Sequence, residues 1–326
     1  MNTFGRIFRV SIFGESHGDR LGAVVDGVKP GIPLSVNDFL PDIDRRRAGA
    51  AGTTPRTEAD EPEIVSGVYE GHTTGAPLTV LFRSSNTRPA DYDILRDIPR
   101  PGHADMTGAL KFCGQNDPRG GGHFSGRLTL PVVAAGVIAK KMLPGVTFNA
   151  RIVTLGGIPE ADSAKWDEAV AGAAREGDSL GATAECNVEG VPAGLGEPFW
   201  DSVESCISHA VFAIPGVRGV EFGDGFAAAA MKGSCHNDRI GPDGPLTNHA
   251  GGVNGGISNG ASIVFRVAFK PTSSIAKSQK TWNFREGREV ELNVPGRHDT
   301  CFALRTPPVV ESVAAIALCD LALRRV

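Results

Sequence analysis

Residues 128–155 read LTLPVVAAGVIAKKMLPGVTFNARIVTL, and this stretch joins two different kinds of secondary structure. Its first part, 128–143, is rich in alanine and valine and ends in Lys140-Lys141, which predicts a helix with cations at the negative end of its dipole. The β-branched run Thr147–Leu155 follows at once and predicts a strand. The chain therefore places helices and strands side by side in the sequence.

Similar patterns extend in both directions from this stretch. Further β-branched runs bounded by Gly, Pro or Asn predict strands at Phe8–Phe13, Gly22–Val28, Leu78–Phe82, Ala182–Val191, Val217–Phe222, Ser262–Phe269 and Glu289–Val294. Helices are predicted between Ser35 and Arg47 with a Ser35/Asp38 capping box, at Trp166–Arg175 with Ser163 as its cap, at Pro198–Phe212, and from Pro307 onward. Because this order lacks a regular β-α alternation, we predict an α+β fold and not a doubly wound parallel sheet. No linker or repeat interrupts it, so we expect one domain spanning residues 1–326.

Composition and charge exclude several classes of function. A net charge of −4 and 6% aromatic residues argue against a globally basic or aromatic-lined nucleic-acid binder. No run approaches the roughly 20 apolar residues of a membrane span, and the first residues do not form a signal peptide. The six cysteines are scattered without a CxxC pair. We therefore expect no structural metal and no disulfides, and we predict a cytoplasmic protein.

Glycine is over-represented, at 42 of 326 residues, and it recurs beside arginine, histidine, serine or aspartate in loops. These loops are Gly14-Glu-Ser-His-Gly18, Asp44-Arg-Arg-Arg47, Arg100-Pro-Gly-His-Ala-Asp105, Arg119–Arg127, 248–258, Lys270-Pro-Thr-Ser-Ser274 and Gly296-Arg-His-Asp299. Turns need the glycines but not the repeated arginines, so we predict an anionic substrate. The candidate ligands for it are Arg45, Arg46, Arg47, Arg56, Arg100, Arg119, Arg127 and Arg297. The segment Lys270–Ser274 could also hold the phosphate of a cofactor.

Two histidines are candidates for proton transfer. His17 and His103 lie in tight glycine loops beside a small polar or acidic residue. His209 lies in an apolar helical run and is expected in the core or in an interface. His298 and Asp299 are adjacent, so in an extended segment only one of them needs to face a site.

Alternative motifs are weaker. Gly14–Gly18 matches the G-x-S-x-G nucleophile elbow of serine hydrolases, with Ser16 as the nucleophile, but only 13 residues precede Gly14. No P-loop is present, and Gly251–Gly260 fails the spacing of a dinucleotide fingerprint.

The order of the glycine-rich motifs along essentially the whole chain resembles the chorismate synthase family. The resemblance is carried by Phe13–Gly18, Asp26-Gly-Val-Lys-Pro-Gly-Ile-Pro33, Asp44–Arg47, Arg100–Asp105, Arg119-Gly-Gly-Gly122, Gly177-Asp-Ser-Leu-Gly181, Gly190–Pro198, Gly219–Phe226, Asn248-His-Ala-Gly-Gly252, Lys270–Ser274 and Gly296–Asp299. It implies a single α+β domain with helices sandwiched between antiparallel sheets, assembled as a homotetramer. It also implies a lyase of aromatic amino-acid biosynthesis that acts in the shikimate pathway. The substrate, 5-enolpyruvylshikimate 3-phosphate, loses phosphate and a ring proton to give chorismate, with reduced FMN required but no net redox change.

The resemblance also assigns roles to residues of this chain. His17, beside Ser16, acts near the departing phosphate, His103 acts on the reduced flavin, and Asp299 works with flavin N5 in removing the ring proton. The implied substrate-binding residues are Arg47, Arg56, Arg100, Arg127 and Arg297. The implied flavin contacts are Arg46, His123, Phe124, Ser125, Pro215, Gly216, Gly255, Lys270, Pro271, Thr272, Ser273, Ser274 and Arg297.

The chain departs from the family pattern at a few positions. Many members have Arg-Ser-Ser-Ala where this chain has His123–Gly126, and an arginine often stands near Gly52. Because His17, His103 and Asp299 are all retained, we expect an active enzyme. The alternatives are a flavin oxidoreductase and a non-catalytic protein that binds a flavin or an anion. No reductase domain is appended, so we expect a separate flavin reductase, with NADPH contributing only indirectly.

Overall fold

The computed structural model describes residues 2–49, 51–54, 58–84, 95–294 and 298–325. The helices of these residues are α1 Leu40–Arg46, α2 Asp105–Lys111, α3 Thr129–Met142, α4 Trp166–Arg175, α5 Val203–Val211, α6 Gly233–His236 and α7 Pro307–Arg324. The strands are β1 Thr3–Phe4, β2 Arg9–Gly14, β3 Arg20–Asp26, β4 Glu63–Ser66, β5 Val68–Tyr69, β6 His72–Thr73, β7 Leu78–Arg83, β8 Thr147–Leu155, β9 Ile158–Pro159, β10 Ala182–Glu189, β11 Val217–Phe222, β12 Ile240–Gly241, β13 Gly244–Pro245, β14 Val253–Asn254, β15 Ile257–Ser258, β16 Ile263–Phe269, β17 Gln279–Asn283 and β18 Arg288–Leu292.

Two five-stranded antiparallel sheets flank the central helices α3 and α7. The first sheet has the strand order β1-β2-β3-β7-β4, and the second has the order β11-β16-β10-β8-β9. Helix α3 packs against β3 and β7, helix α7 packs against β8 and β10, and the two helices pack against each other. Every residue of α7 from Pro308 to Leu321 is buried, as expected for a helix covered on all sides. The predicted α+β sandwich is confirmed, whereas the extent of the domain over 1–326 stays a prediction.

A glycine permits the close contact between the two central helices. A Cβ atom placed on Gly136 of α3 would lie 2.2 Å from the Cβ of Ser312 in α7, well inside van der Waals contact. Ser312 turns its hydroxyl onto the carbonyl oxygen of Pro308, at 2.6 Å, so it needs no partner in α3. Only glycine at position 136 allows the two backbones to approach this closely.

Most predicted elements are present, but three local predictions need correction. Helix α5 begins at Val203 and not at Pro198, and Ser202 caps it by accepting the backbone N–H of Ser205 at 3.0 Å. Ser163 does not cap α4, because it lies in a 3-10 turn and the cap position is Lys165. His209 is exposed, so it is not in the core and its place in an interface stays a prediction; its ring packs edge-on against Phe4 with centroids 5.3 Å apart.

A buried carboxylate joins the helical layer to the second sheet. Glu311 of α7 is 1% exposed and accepts hydrogen bonds from Arg45 (2.6 Å), Lys140 (2.9 Å) and the backbone N–H of Ala150 (3.0 Å). Burial alone would raise the pKa of Glu311, but the bonds from Arg45 and the charge of Lys140 outweigh it and hold the pKa below its ordinary value. Arg45, predicted as a possible substrate ligand, is therefore part of the helix packing.

A second buried carboxylate ties the N-terminus to the last helix. Asp320 Oδ1 accepts the backbone N–H groups of Arg6, Ile7 and Phe8, at 3.0, 2.7 and 3.0 Å. Three donors that converge on one oxygen fix the path of the chain into β2.

Two features are absent from the described ranges, a membrane-spanning helix and a metal-binding group of side chains. No helix there is long and apolar enough to cross a membrane. No group of three or more His, Cys, Asp or Glu side chains in those ranges could hold a metal ion.

Candidate active site

The loop Gly14–Gly18 connects two neighbouring strands. β2 and β3 pair directly with each other, with Gly14 opposite Leu21. A nucleophile elbow requires a strand followed by a helix. The loop is instead part of a β-hairpin, so the serine-hydrolase interpretation of Ser16 is wrong.

The triple glycine Gly120–Gly122 brings the two predicted histidines together. All three residues have positive φ, at 60°, 82° and 53°. A Cβ on Gly120 would lie 2.7 Å from His17 Nε2 and 2.9 Å from Ser16 Oγ, and one on Gly121 would lie 3.2 Å from His103 Nε2. The imidazoles of His17 and His103 therefore contact consecutive residues, and only a glycine backbone leaves room for both.

We expect Gly120→Ala to lower turnover about tenfold to a hundredfold, because the new methyl group displaces His17 from its position. The assay is steady-state turnover together with a thermal melt. Gly31→Ala is the matched control, since Gly31 also has a positive φ (84°) but a Cβ there meets nothing within 4 Å. Equal activity in the two variants would refute the steric argument.

His103 is oriented by a buried ion pair. Its Nδ1 lies 2.6 Å from Asp105 Oδ1, and Arg100 donates to both oxygens of Asp105 at 2.7 Å. Burial alone would raise the pKa of Asp105, but the hydrogen bonds from Arg100 and His103 bring it far below its ordinary value. Asp105 therefore stays ionised and holds the proton on Nδ1, which leaves His103 Nε2 available to a ligand. Arg100 itself is 5% exposed and bonds Asp105 and, at 2.9 Å, Ser274.

The segment Lys270–Ser274 packs against this histidine loop. Lys270 Nζ donates to the carbonyl oxygen of Gly102 at 2.5 Å and also to Ser273 Oγ. The backbone N–H of Lys270 donates to the carbonyl oxygen of Gly216 at 2.9 Å. The predicted flavin contacts Pro215, Gly216 and Lys270–Ser274 thus adjoin His103.

A cluster of buried charges adjoins the other end of the glycine segment. Arg46 donates to Thr129 Oγ1 at 3.0 Å and to the carbonyl oxygen of Gly126 at 3.1 Å. Asp60 pairs with Arg127 at 2.8 Å and with Arg46 at 3.5 Å. Burial, together with the nearby charge of Arg305, lowers the pKa of Arg46 to about 9. Burial is the largest cause, the charge of Arg127 acts in the same direction, and the carboxylates of Asp60 and Asp299 oppose the shift of the pKa.

Asp299 is held at the edge of this cluster. Its Oδ2 accepts from Arg305 Nη2 at 2.8 Å, and its Oδ1 accepts the backbone N–H of Thr54 at 2.8 Å. Thr54 follows Gly52, where a Cβ would lie 2.6 Å from Val170. A side chain at Gly52 would therefore collide with Val170 and would also require an unfavourable positive φ of 85°.

Several guanidinium nitrogens of the cluster are buried without a hydrogen-bond partner among the described residues. They are Nε and Nη2 of Arg127 and Nε of Arg305, and the same holds for Nε of Arg47, whose Nη2 donates to the carbonyl oxygen of Ala59 next to Asp60. Buried N–H groups are normally paired, and an unpaired one costs about 1–3 kcal/mol. These donors therefore fit an anion with several oxygens.

The remaining predicted residues are scattered. Arg47 pairs with Asp44 at 2.6 Å, and His123 Nδ1 donates to the carbonyl oxygen of Gly14 at 2.7 Å. Phe124 packs beside Phe112, and Ser125 accepts the N–H of Arg127 at 3.3 Å. Gly255 lies in the β14–β15 turn, whose next residue, Gly256, accepts the N–H of Val203 at the start of α5. Gly255 therefore lies near the start of α5, whereas Pro215–Gly216 follow the end of the same helix. Arg119 pairs with Asp117, and Arg56 and Arg297 lie outside the described residues.

Three residues of the site were not predicted from the sequence. Asp60 and Arg305 belong to no motif, and only the tertiary structure brings them to Arg127 and Asp299. The sequence does indicate Asp105 as a partner of His103, because this acidic residue lies two positions after the histidine in a glycine loop.

Comparisons with known proteins find similar proteins over nearly the whole chain. The family model described as chorismate synthase matches residues 8–323. A protein named chorismate synthase from Chitinophaga pinensis is 58% identical over 323 residues, covering 98% of this chain and 96% of the relative. One of the same name from Bordetella avium is 45% identical over 346 residues, covering 99% and 97%. A solved structure titled "Crystal Structure of Chorismate Synthase" has a TM-score of 0.75 and 26% identity, and the match covers 98% of this chain and 92% of that one.

Proposed function

The chain belongs to the chorismate synthase family, and on this premise we propose that it is a carbon–oxygen lyase acting on 5-enolpyruvylshikimate 3-phosphate. The substrate loses its phosphate and one ring proton to give chorismate. The bond from carbon to the phosphate oxygen and one C–H bond break, and the electrons form a new double bond in the ring. No net oxidation accompanies this change.

The observation that carries the proposal is the set of partly unpaired, buried arginines beside Asp299. Arg127 keeps two buried nitrogens without a partner among the described residues, and Arg305 keeps one. A substrate with a phosphate and two carboxylates supplies oxygens for such donors. Asp299 pairs with Arg305 and is an acceptor for a proton.

The residues near His103 fit a flavin. Thr272 Oγ1 is buried and has no partner among the residues that the structure describes, and Lys270 supplies a cation in the same segment. Reduced FMN bound there would supply an electron-rich ring beside the substrate. The contacts to it would come from Arg46, Lys270–Ser274, Pro215–Gly216, His123–Ser125, Gly255 and Arg297.

The chain's own residues then divide the work. His17, with Ser16 beside it, donates a proton or hydrogen bond to the departing phosphate. His103, with its Nδ1 proton held by Asp105, presents Nε2 to the flavin. Asp299 accepts the ring proton, and Arg47, Arg56, Arg100, Arg127 and Arg297 bind or position the substrate anions. The burial of His17 and Arg100 helps to exclude water from the reaction.

We further propose a cytoplasmic homotetramer that receives reduced flavin from a separate reductase. NADPH then acts only through that reductase. Both statements rest on the family resemblance, and size-exclusion chromatography with light scattering tests the first of them.

The direct test is anaerobic turnover of 5-enolpyruvylshikimate 3-phosphate with photoreduced FMN. We expect chorismate absorbance and phosphate to appear in equal amounts, and only with reduced flavin. Oxidised FMN is the control.

Two outcomes would contradict the proposal. Stoichiometric consumption of NAD(P)H with a net redox change would indicate a flavin oxidoreductase. Binding of flavin and substrate without product would indicate a non-catalytic protein, and the departure at His123–Gly126 would be the first place to look for the cause.

A further inference from the structure

The motif Gly177–Gly181 is the turn that joins helix α4 to strand β10. Gly177 ends α4 by donating its backbone N–H to the carbonyl oxygen of Ala174 at 3.1 Å. The next N–H, that of Asp178, donates to the carbonyl oxygen of Ala173 at 2.9 Å, and the two bonds form a Schellman motif. The end of the helix therefore fixes where the turn begins.

Two consecutive residues of this turn hold two different parts of the candidate site. Ser179 Oγ donates to the carbonyl oxygen of Thr272 at 2.8 Å. The backbone N–H of Leu180 donates to the carbonyl oxygen of Thr300 at 2.8 Å. Thr272 belongs to the segment proposed to contact the flavin, and Thr300 directly follows Asp299, the proposed proton acceptor. Because consecutive Cα atoms are only about 3.8 Å apart, the turn keeps these two segments next to each other.

Ser179 is itself held in place by its neighbours. Its backbone N–H donates to Asp178 Oδ1 at 2.9 Å, and Lys277 Nζ donates to Asp178 Oδ2 at 3.2 Å. The bond from the Ser179 backbone, aided by that from Lys277, lowers the pKa of Asp178, so this carboxylate is ionised at neutral pH. The backbone N–H of Lys277 also donates to the carbonyl oxygen of Gly177 at 3.0 Å. The loop that contains Thr272 is therefore bound to the turn at a second point.

Each of the two segments also has supports of its own. In the first, Ser274 accepts a hydrogen bond from Arg100 at 2.9 Å. In the second, Asp299 accepts one from Arg305 at 2.8 Å. Loss of the Ser179 hydroxyl would therefore loosen the relative position of the two segments without unfolding either of them.

We propose that Ser179 is a positioning residue that holds the flavin-contact segment at a fixed distance from the proton acceptor Asp299. This inference rests on the proposed function, because both segments take their roles from it. Ser179 acts through the backbone of Thr272, whose Oγ1 is buried and has no partner among the described residues, so that hydroxyl stays available to a ligand. Proton transfer depends steeply on the placement of the reacting groups, and a displacement of about 1 Å costs up to about 10²-fold in rate.

The test is anaerobic turnover with reduced FMN, using substrate with either hydrogen or deuterium at the ring position that loses its proton. The variants are Ser179→Ala, which removes the hydroxyl, and Ser179→Thr, which keeps it. Ser66→Ala is the matched control, since Ser66 Oγ also donates to a backbone carbonyl oxygen, that of Pro77 at 2.8 Å, but lies in β4 of the first sheet. Fluorescence quenching measures the affinity for FMN, and a thermal melt measures folding.

We expect Ser179→Ala to lower kcat about tenfold and to increase the deuterium isotope effect on kcat, because a displaced acceptor makes proton transfer more rate-limiting. The KM for the substrate and the affinity for FMN should stay within about twofold of wild type. Ser179→Thr and Ser66→Ala should behave as the wild-type protein does.

An unchanged kcat in Ser179→Ala would overturn the inference and leave the proposed function intact. A fall in kcat with an unchanged isotope effect would also overturn it, because that result indicates a smaller folded fraction and not a displaced acceptor. If Ser179→Ala does not fold, Asp178→Ala replaces it, since it releases the backbone N–H of Ser179, and an unchanged isotope effect there would overturn the inference. If the wild-type protein formed no chorismate, the proposed function would fall and the inference with it.

Discussion

Asp299→Asn is expected to lower kcat about 10²- to 10⁴-fold while the protein still binds substrate. Asparagine has the shape of aspartate, so it can still accept the backbone N–H of Thr54. It cannot accept a ring proton, and its amide would place N–H donors against the Nη2 of Arg305. The measurement is anaerobic turnover with reduced FMN, together with substrate binding by calorimetry.

The matched control is Asp201→Asn. Asp201 also pairs with arginines, Arg6 at 2.7 Å and Arg324 at 3.4 Å, but it lies in the 3-10 turn just before α5. We expect this variant to keep wild-type turnover. Normal kcat in Asp299→Asn would remove Asp299 from the proposed mechanism.

Glu311→Gln is expected to lower the free energy of unfolding by about 2–3 kcal/mol at neutral pH, the largest loss of stability that we expect from one substitution. The glutamine removes one of the two carboxylates that pair with Lys140, leaving only Asp42 at 2.7 Å, and it weakens the bond to Arg45. Arg45 is half-exposed and can turn to water, so the loss stays below that of a fully buried pair. Urea denaturation measures it.

The loss of stability caused by Glu311→Gln should depend on pH. Because the folded-state pKa of Glu311 lies below its ordinary value of 4.5, the stabilisation is complete above that pH and is lost as the pH falls through the folded-state pKa. The difference in the free energy of unfolding between wild type and Glu311→Gln should therefore become smaller at acidic pH. Glu289→Gln, which breaks the exposed pair with Lys280, serves as the control and should cause no measurable change. If that difference instead became larger at acidic pH, Glu311 would not stabilise the fold as an ionised carboxylate.

Local patterns predicted the elements whose ends are marked by the sequence. Strands Thr147–Leu155 and Val217–Phe222 and helix Trp166–Arg175 have the predicted bounds, because glycine or proline stands beside each of them. The start of α5 was misjudged because Pro198 is an early helix signal, whereas the capping hydroxyl belongs to Ser202.

The site was predictable where one loop carries both a histidine and its surroundings, as at His17 and His103. It was not predictable where the partners are distant in sequence. Arg45 and Arg46 are adjacent and chemically identical, yet one bonds Glu311 in the helix packing and the other joins the charged cluster beside Asp60. Helical geometry points neighbouring side chains in different directions, and only the tertiary structure shows what each one meets.

The bond between the start of the chain and its last helix has a consequence for synthesis on the ribosome. Phe8 and Asp320 are 312 residues apart. At about 5–20 residues per second, the ribosome makes helix α7 roughly 15–60 s after the first strands. During that interval α3 has been synthesised but α7, which packs on it, has not. Thr54 likewise lacks the carboxylate of Asp299, to which its backbone N–H donates in the folded protein. The central helix pair therefore cannot form before α7 has been synthesised, and the bond from Thr54 cannot form before Asp299 has been synthesised.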